Sequence, residues 1–115
     1  MKKPPSIAPV YCYLVPHLAE VARDHGYALT VHGSMQRDLD LVAVPWIDGA
    51  SGPVELASAL YERIKWASSH DQPKGPVVRP HGRLAWTIAL GGGAYLDLSI
   101  MPCKAPERDP EPAPG

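Results

Sequence analysis

Asp38 and Asp40 open a short apolar run, DLDLVAV, separated by one leucine, and a third aspartate, Asp97, is set into YLDLSI with the same alternation. Side chains in a strand alternate faces, so Asp38 and Asp40 share one face while Leu39 and Leu41 take the other. Two like charges side by side repel, and a cation between them removes the conflict. Hard divalent ions, Mg²⁺ with Mn²⁺ as a second candidate, take such oxygen ligands and leave places for water and substrate phosphates. If the strands join one sheet, Asp97 lies beside the pair. Two carboxylates then hold metal, and the third completes its shell or accepts the proton of an attacking hydroxyl. The chemistry implied is metal-assisted phosphoryl or nucleotidyl transfer. Just upstream, Gly33-Ser34 begins a turn whose backbone N–H groups and serine hydroxyl could hold terminal phosphates, Gly33 permitting close approach. A plain turn residue is the competing reading of Ser34. Arg37, directly before Asp38, is a candidate phosphate ligand or a neutralising charge for the acidic pair.

These residues need elements to position them. Leu14, Leu18, Val21 and Ala22 recur at helical spacing, with Glu20, Arg23 and Asp24 opposite them. Pro16 lies inside this pattern, as a kink or as the first turn. Gly26 suits the left-handed stop after a helix. Tyr27 to His32 reads as a strand with Leu29 and Val31 on one face. Leu39 to Trp46, headed by the aspartates, is a second strand, and the short link between them favours an antiparallel hairpin. Pro53 to Ser68 is the clearest helix, with a stripe of Leu56, Leu60, Ile64 and Ala67 and with Glu55 in its first turn. Ser69 to Pro80 reads as a polar loop. Arg83 to Leu90 puts Leu84, Trp86, Ile88 and Leu90 on one face. Gly91–Gly93 is a hairpin turn, and Ala94 to Met101 directs Leu96, Leu98 and Ile100 inward and Tyr95, Asp97 and Ser99 outward. The expected fold class is α+β: a mostly antiparallel four-stranded sheet with two helices packed on one face and the aspartates on the other. Residues 1–9 are expected to be a flexible N-terminal segment, 10–102 a single domain, and 103–115, rich in proline and charge, a disordered tail.

A Gly-Ser turn, an Asp-x-Asp pair at the start of a strand and a third acidic residue on a later strand resemble the nucleotidyltransferase superfamily that includes DNA polymerase beta, in its minimal single-domain form. The matching residues are Gly33-Ser34, Asp38-Leu39-Asp40-Leu41 and Asp97. The resemblance extends over roughly residues 16–101 and implies a nucleotidyltransferase-like sheet. It implies that Asp38, Asp40 and Asp97 bind Mg²⁺ and form the catalytic set, and that Gly33 and Ser34 contact the β- and γ-phosphates of a nucleoside triphosphate. The implied reaction transfers a nucleoside monophosphate to a hydroxyl and releases pyrophosphate. In the family a longer, helical spacer separates Gly-Ser from Asp-x-Asp; here only Met35, Gln36 and Arg37 intervene. No second domain for an acceptor is evident, so a protein partner or self-association would supply it. The alternative is a member that has lost turnover and serves as a binding or interaction module.

Composition narrows the field. The chain has 115 residues, 45% of them hydrophobic, and a net charge of -1. That balance lacks the basic excess of a protein held to nucleic acid by phosphate contacts, so nucleic acid is not an expected partner. No apolar run is long enough to span a membrane, and MKKPPSIAPV lacks a signal-peptide core, so a cytoplasmic protein is expected. Cys12 and Cys103 have no metal-ligand spacing and read as free thiols. His32 alternates away from Val31 and could line the aspartate cleft, though a lone histidine is more often structural. Arg79, His81 and Arg83 could bind phosphate, with a solvated loop as the plainer reading. Trp46, Trp66 and Trp86 read as core or edge packing rather than a base-stacking platform.

Overall fold

Two helices lie on one face of a five-stranded mixed sheet in the computed structural model, which describes residues 9–33, 35, 38–69 and 72–103. Helix α1 spans Pro9–Asp24 and α2 spans Pro53–Ile64; the strands are β1 (Tyr27–His32), β2 (Asp38–Pro45), β3 (Lys74–Val78), β4 (Leu84–Ala89) and β5 (Tyr95–Ile100). In space the strands run β1-β2-β5-β4-β3. Three neighbouring pairs are antiparallel, and β2 runs parallel to β5. The α+β class with helices on one face agrees with the sequence reading.

Helix α1 contains Pro16 within its length rather than starting there. Proline removes the N–H that the carbonyl of Cys12 would otherwise receive. Cys12 and Pro16 both lie on the exposed side of the helix, where water can satisfy that carbonyl. The opposite side buries Tyr11, Leu14, Leu18, Val21 and Ala22. Gly26 ends the element with φ of +89°. Helix α2 opens at Gly52-Pro53, where proline's missing N–H costs nothing, and the Leu56 N–H closes the first turn on the Gly52 carbonyl at 3.0 Å. It ends at Ile64, three residues of 3₁₀ turn replacing the last helical turn expected from the sequence.

The core is the stripe of α1 and of α2 (Leu56, Ala57, Leu60, Ile64) set against the inward residues of the three central strands: Leu39, Leu41 and Ala43; Leu96, Leu98 and Ile100; Trp86 and Ile88. With no phenylalanine in the chain, Tyr11, Tyr27 and Trp86 supply the aromatic volume. A buried tyrosine needs a partner for its hydroxyl. That of Tyr27 donates to the Ser51 carbonyl at 2.6 Å and lies 3.3 Å from the Cys103 thiol, tying residue 103 to the start of β1. Both cysteines are free thiols. Trp46 and Trp66 lie outside the core, 69% and 65% exposed, and Trp66 meets Tyr13 edge-on.

Two sequence expectations are corrected. The sheet has five strands, not four, because part of the presumed loop 69–80 forms β3. Every residue of β3 is exposed, so no alternation marks it, and Gly75-Pro76 reads locally as a turn. Proline is tolerated there because β3 is an edge strand. The strands also do not simply meet as two antiparallel hairpins; β2 and β5 join them in parallel, with α2, β3 and β4 forming the long crossover such pairing requires. No helix among the described residues is long and apolar enough to cross a membrane. The expected N-terminal segment and tail fall mostly on residues 1–8 and 104–115, outside the described residues.

Candidate functional site

The parallel pairing of β2 with β5 brings the three aspartates together. Asp40 is the direct register partner of Asp97, and Asp38 is the partner of Tyr95, one step along the same face. The row continues on both sides, since His32 pairs with Asp40, Thr87 with Asp97 and Lys74 with Thr87. His32, Asp40, Asp97, Thr87 and Lys74 therefore cross all five strands on the face opposite the helices. Alternation fixes that face. Leu39 and Leu41 flank Asp40, and Leu96 and Leu98 flank Asp97; all four are buried beneath the helices. The aspartates are thereby held out on a rigid, half-exposed surface.

The electrostatics follow from this crowding. Partial burial pushes the Asp40 carboxyl above its ordinary value, and a side-chain hydrogen bond with Asp97 and the negative charges of Asp97 and Asp38 push it the same way; His32 acts weakly in the opposite sense. Thr87 Oγ1 donates to Asp97 Oδ1 at 3.2 Å, fixing one oxygen of that carboxylate. Tyr11, in the first turn of α1, is raised by its burial and by the charges of all three aspartates, and its hydroxyl donates to the Tyr95 carbonyl at 3.4 Å.

Gly33 sits against the acid row. Its φ is +81°, and a Cβ there would stand 3.2 Å from Asp40 Oδ2. Glycine thus both permits the turn and leaves that oxygen approachable. Ser34 and Arg37, the other expected phosphate contacts, lie outside the described residues, as does Gln36. Met35, the one described residue between them, has φ of 63° and packs against the core.

Among the described residues no three His, Cys, Asp or Glu side chains stand in a ready-made metal geometry. Asp40 and Asp97 stand side by side as register partners instead, close enough for Asp97 to raise the Asp40 carboxyl. The donor set nevertheless fits a hard divalent cation. It consists of carboxylate oxygens on neighbouring strands, one of them pressed toward protonation by its neighbours, a pressure a bound cation reverses.

Thr87 and Arg83 belong to this surface but were not placed on it by the sequence; Tyr11, buried on the helix side, reaches the site's edge only through its hydroxyl's bond to the Tyr95 carbonyl. Thr87 had a legible signal, since a hairpin closed by Gly91–Gly93 pairs 87 with 97. The sequence leaves Arg83 open between a phosphate ligand and a solvated loop residue; in the structure its Nη1 donates to Ser99 Oγ at 2.9 Å on the open face. Arg79 and His81 remain exposed, as the plainer reading of them had it. A cleft of ≈ 310 Å³ lies behind the sheet, between α2 and β4, lined by Ala57, Tyr61, Glu62, Trp86 and Ile88 among others; it is on the helix side and none of the aspartates lines it.

No protein-family model matches the chain, and no curated protein matches it. Solved structures similar to it include Cid1, described with RNA terminal uridylyl transferase activity, at 16% identity and a TM-score of 0.49 over 84% of this chain and 33% of that one. A cytoplasmic RNA terminal U-transferase is similar at 14% identity and a TM-score of 0.49, covering 84% of this chain and 30% of the other. The Cid1 poly(U) polymerase with MgGTP bound is similar at 13% identity and a TM-score of 0.47, covering 84% of this chain and 34% of the other. The chain spans about a third of the length of each of these proteins.

Proposed function

We propose that the open face of the sheet is a nucleotidyltransferase-type site that binds a nucleoside triphosphate with Mg²⁺ and transfers its nucleoside monophosphate to a hydroxyl acceptor. The observation that carries this reading is the register pair Asp40–Asp97, with Asp38 one step away and Gly33 against Asp40 Oδ2. The motif resemblance of Gly33-Ser34, Asp38-Leu39-Asp40 and Asp97 points to the same chemistry.

In this reading Asp38 and Asp40 hold the metal, and Asp97 is a third ligand or the base that takes the acceptor's proton. A bound Mg²⁺ supplies charge neutralisation for the triphosphate and Lewis acidity at its oxygens. The turn at Gly33 and Ser34, with Arg37 beside it, holds the β- and γ-phosphates. The acceptor oxygen forms a bond to the α-phosphorus, the bond from that phosphorus to the bridging oxygen breaks, and pyrophosphate leaves; the hydroxyl proton passes to Asp97. Thr87 keeps Asp97 aimed by its hydrogen bond. We place the protein in the cytoplasm as a single domain over 10–102, its acceptor supplied by a partner protein or a second copy.

A second reading, a nucleotide-binding module without turnover, is favoured by the short spacer of Met35, Gln36 and Arg37. One experiment separates them. Thermal stability is measured against a panel of nucleoside triphosphates with and without Mg²⁺ or Mn²⁺, in wild type and Asp40→Asn, alongside pyrophosphate release. A metal-dependent shift that the variant loses supports a nucleotide site, and release then distinguishes enzyme from module. Well-folded protein with no shift in any condition sinks both.

A further inference from the structure

We propose that Arg83, tethered to Ser99, forms an anion subsite on the side of the acid row away from the Gly33 turn, fitted to a phosphate group on the partner that brings the acceptor hydroxyl. The acceptor assignment rests on the nucleotidyltransferase reading above; the anion subsite itself does not.

The position follows from the register. Ala85 and Thr87 face outward, and Arg83 continues their alternation one residue beyond the last pair, Leu84–Ile100. Its side chain leans back toward the acid row and donates to Ser99 Oγ at 2.9 Å. Ser99 lies two residues from Asp97 on the same face, about 7 Å along the strand. Because β2 and β5 run parallel, the order along the face is Gly33 turn, then Asp38 and Tyr95, then Asp40 and Asp97, then Val42 and Ser99 with Arg83. The acid row lies between a turn suited to the leaving phosphates and a guanidinium. In phosphoryl transfer the leaving and attacking oxygens are roughly in line on opposite sides of phosphorus, so the guanidinium stands where the incoming molecule arrives.

Charge supports the same assignment. The ion pairs among the described residues are Arg63–Glu20 and Lys65–Glu62. Arg83 instead spends one of its five N–H donors on a neutral hydroxyl, and among the described residues its charge meets no carboxylate. A half-buried guanidinium in this state retains a planar fork matched to phosphate oxygens. From Gln72 to Leu96 the sequence holds Lys74, Arg79 and Arg83 and no acidic residue. Lys74 stands on the acid row's own line, opposite Thr87. The Arg79 N–H bonds the Arg83 carbonyl at 2.9 Å and sets the loop from which Arg83 projects. The open face is thus polarised, acidic on β2 and β5 and basic toward the β3–β4 edge.

The test is a titration of the full chain in EDTA with inorganic phosphate, methyl phosphate and dimethyl phosphate, read from the Arg83 side-chain Nε–H and the Ser99 amide by NMR. Saturable shifts at both groups are expected, weakened about tenfold or more in Arg83→Gln and less in Arg83→Lys. Tighter binding of methyl phosphate names a phosphomonoester source, and tighter binding of dimethyl phosphate a phosphodiester; either supports the subsite. No saturable shift overturns it, and so does equal affinity in a folded Arg83→Gln protein, which leaves Arg83 as a tether of β4 to β5. Ser99→Ala, which keeps the charge, should retain binding in weakened form; full loss there with Arg83 intact also overturns the assignment. Phosphate binding at Arg83 without any metal-dependent triphosphate shift overturns the nucleotidyl reading alone and leaves the anion subsite standing.

Discussion

Replacing Asp40 by asparagine should make the metal-free protein more stable at neutral pH. Burial raises the Asp40 carboxyl above its ordinary value, and its hydrogen bond with Asp97 and the charges of Asp97 and Asp38 add to the effect. The native state therefore holds that proton to higher pH than the unfolded chain. The contribution of Asp40 to stability must fall as pH rises through and above the ordinary carboxylate range, and the penalty is absent below it. Two unit charges about 4 Å apart cost about 1 kcal/mol in a water-like medium and about 4 kcal/mol at an effective dielectric near 20. Both aspartates are half-exposed, so the lower figure governs. Asparagine removes one charge while its amide still donates to Asp97. A gain of about 1 kcal/mol corresponds to a rise in Tm of roughly 4–8 °C for a domain near this size. The assay is thermal denaturation of both proteins in EDTA from pH 3 to pH 8. The gap should be full at pH 7 and close as pH falls below about 4, where the aspartate of the unfolded chain is itself protonated. Equal midpoints at pH 7, or a gap that persists unchanged at pH 3, would refute the argument that the two carboxylates oppose each other.

Gly33→Ala places a β-carbon 3.2 Å from Asp40 Oδ2 at φ of +81°; it should cost about 1 kcal/mol in urea denaturation and reduce the triphosphate-dependent stabilisation. Trp86 is 8% exposed and floors the sheet beneath α2, so Trp86→Ala should lose about 3–5 kcal/mol in the same assay. Tyr27→Phe deletes the 2.6 Å hydrogen bond to the Ser51 carbonyl and should cost about 0.5–1.5 kcal/mol, with the alkylation rate of Cys103 rising as its hydroxyl neighbour is lost.

The local chemistry of the chain was already decisive for its elements. Alternation in DLDLVAV and YLDLSI set which side chains face the helices, and the same alternation put all three aspartates on one face before any pairing was known. Helical spacing marked both helices, and Gly26 ended the first where a left-handed residue was needed. The Gly91–Gly93 turn fixed the pairing of 87 with 97. These are properties of neighbours in sequence, and short-range sterics and periodicity are enough to set them.

Other features depend on residues far apart in the chain. Nothing local marks β3, whose residues are exposed on both sides and which exists as a strand because β4 offers it a free edge. Nothing local makes β2 and β5 neighbours. That pairing follows from burying Leu39, Leu41, Leu96 and Leu98 under the same two helices, and it alone turns three scattered aspartates into Asp40 opposite Asp97 with Asp38 beside them. The tether of Arg83 to Ser99 arises in the same way, because a charged side chain takes its partner from whichever strand the fold lays next to it. The sequence by itself determined the residue types and their faces; the tertiary structure decided their distances, because only burial of a shared core brings separated strands into register.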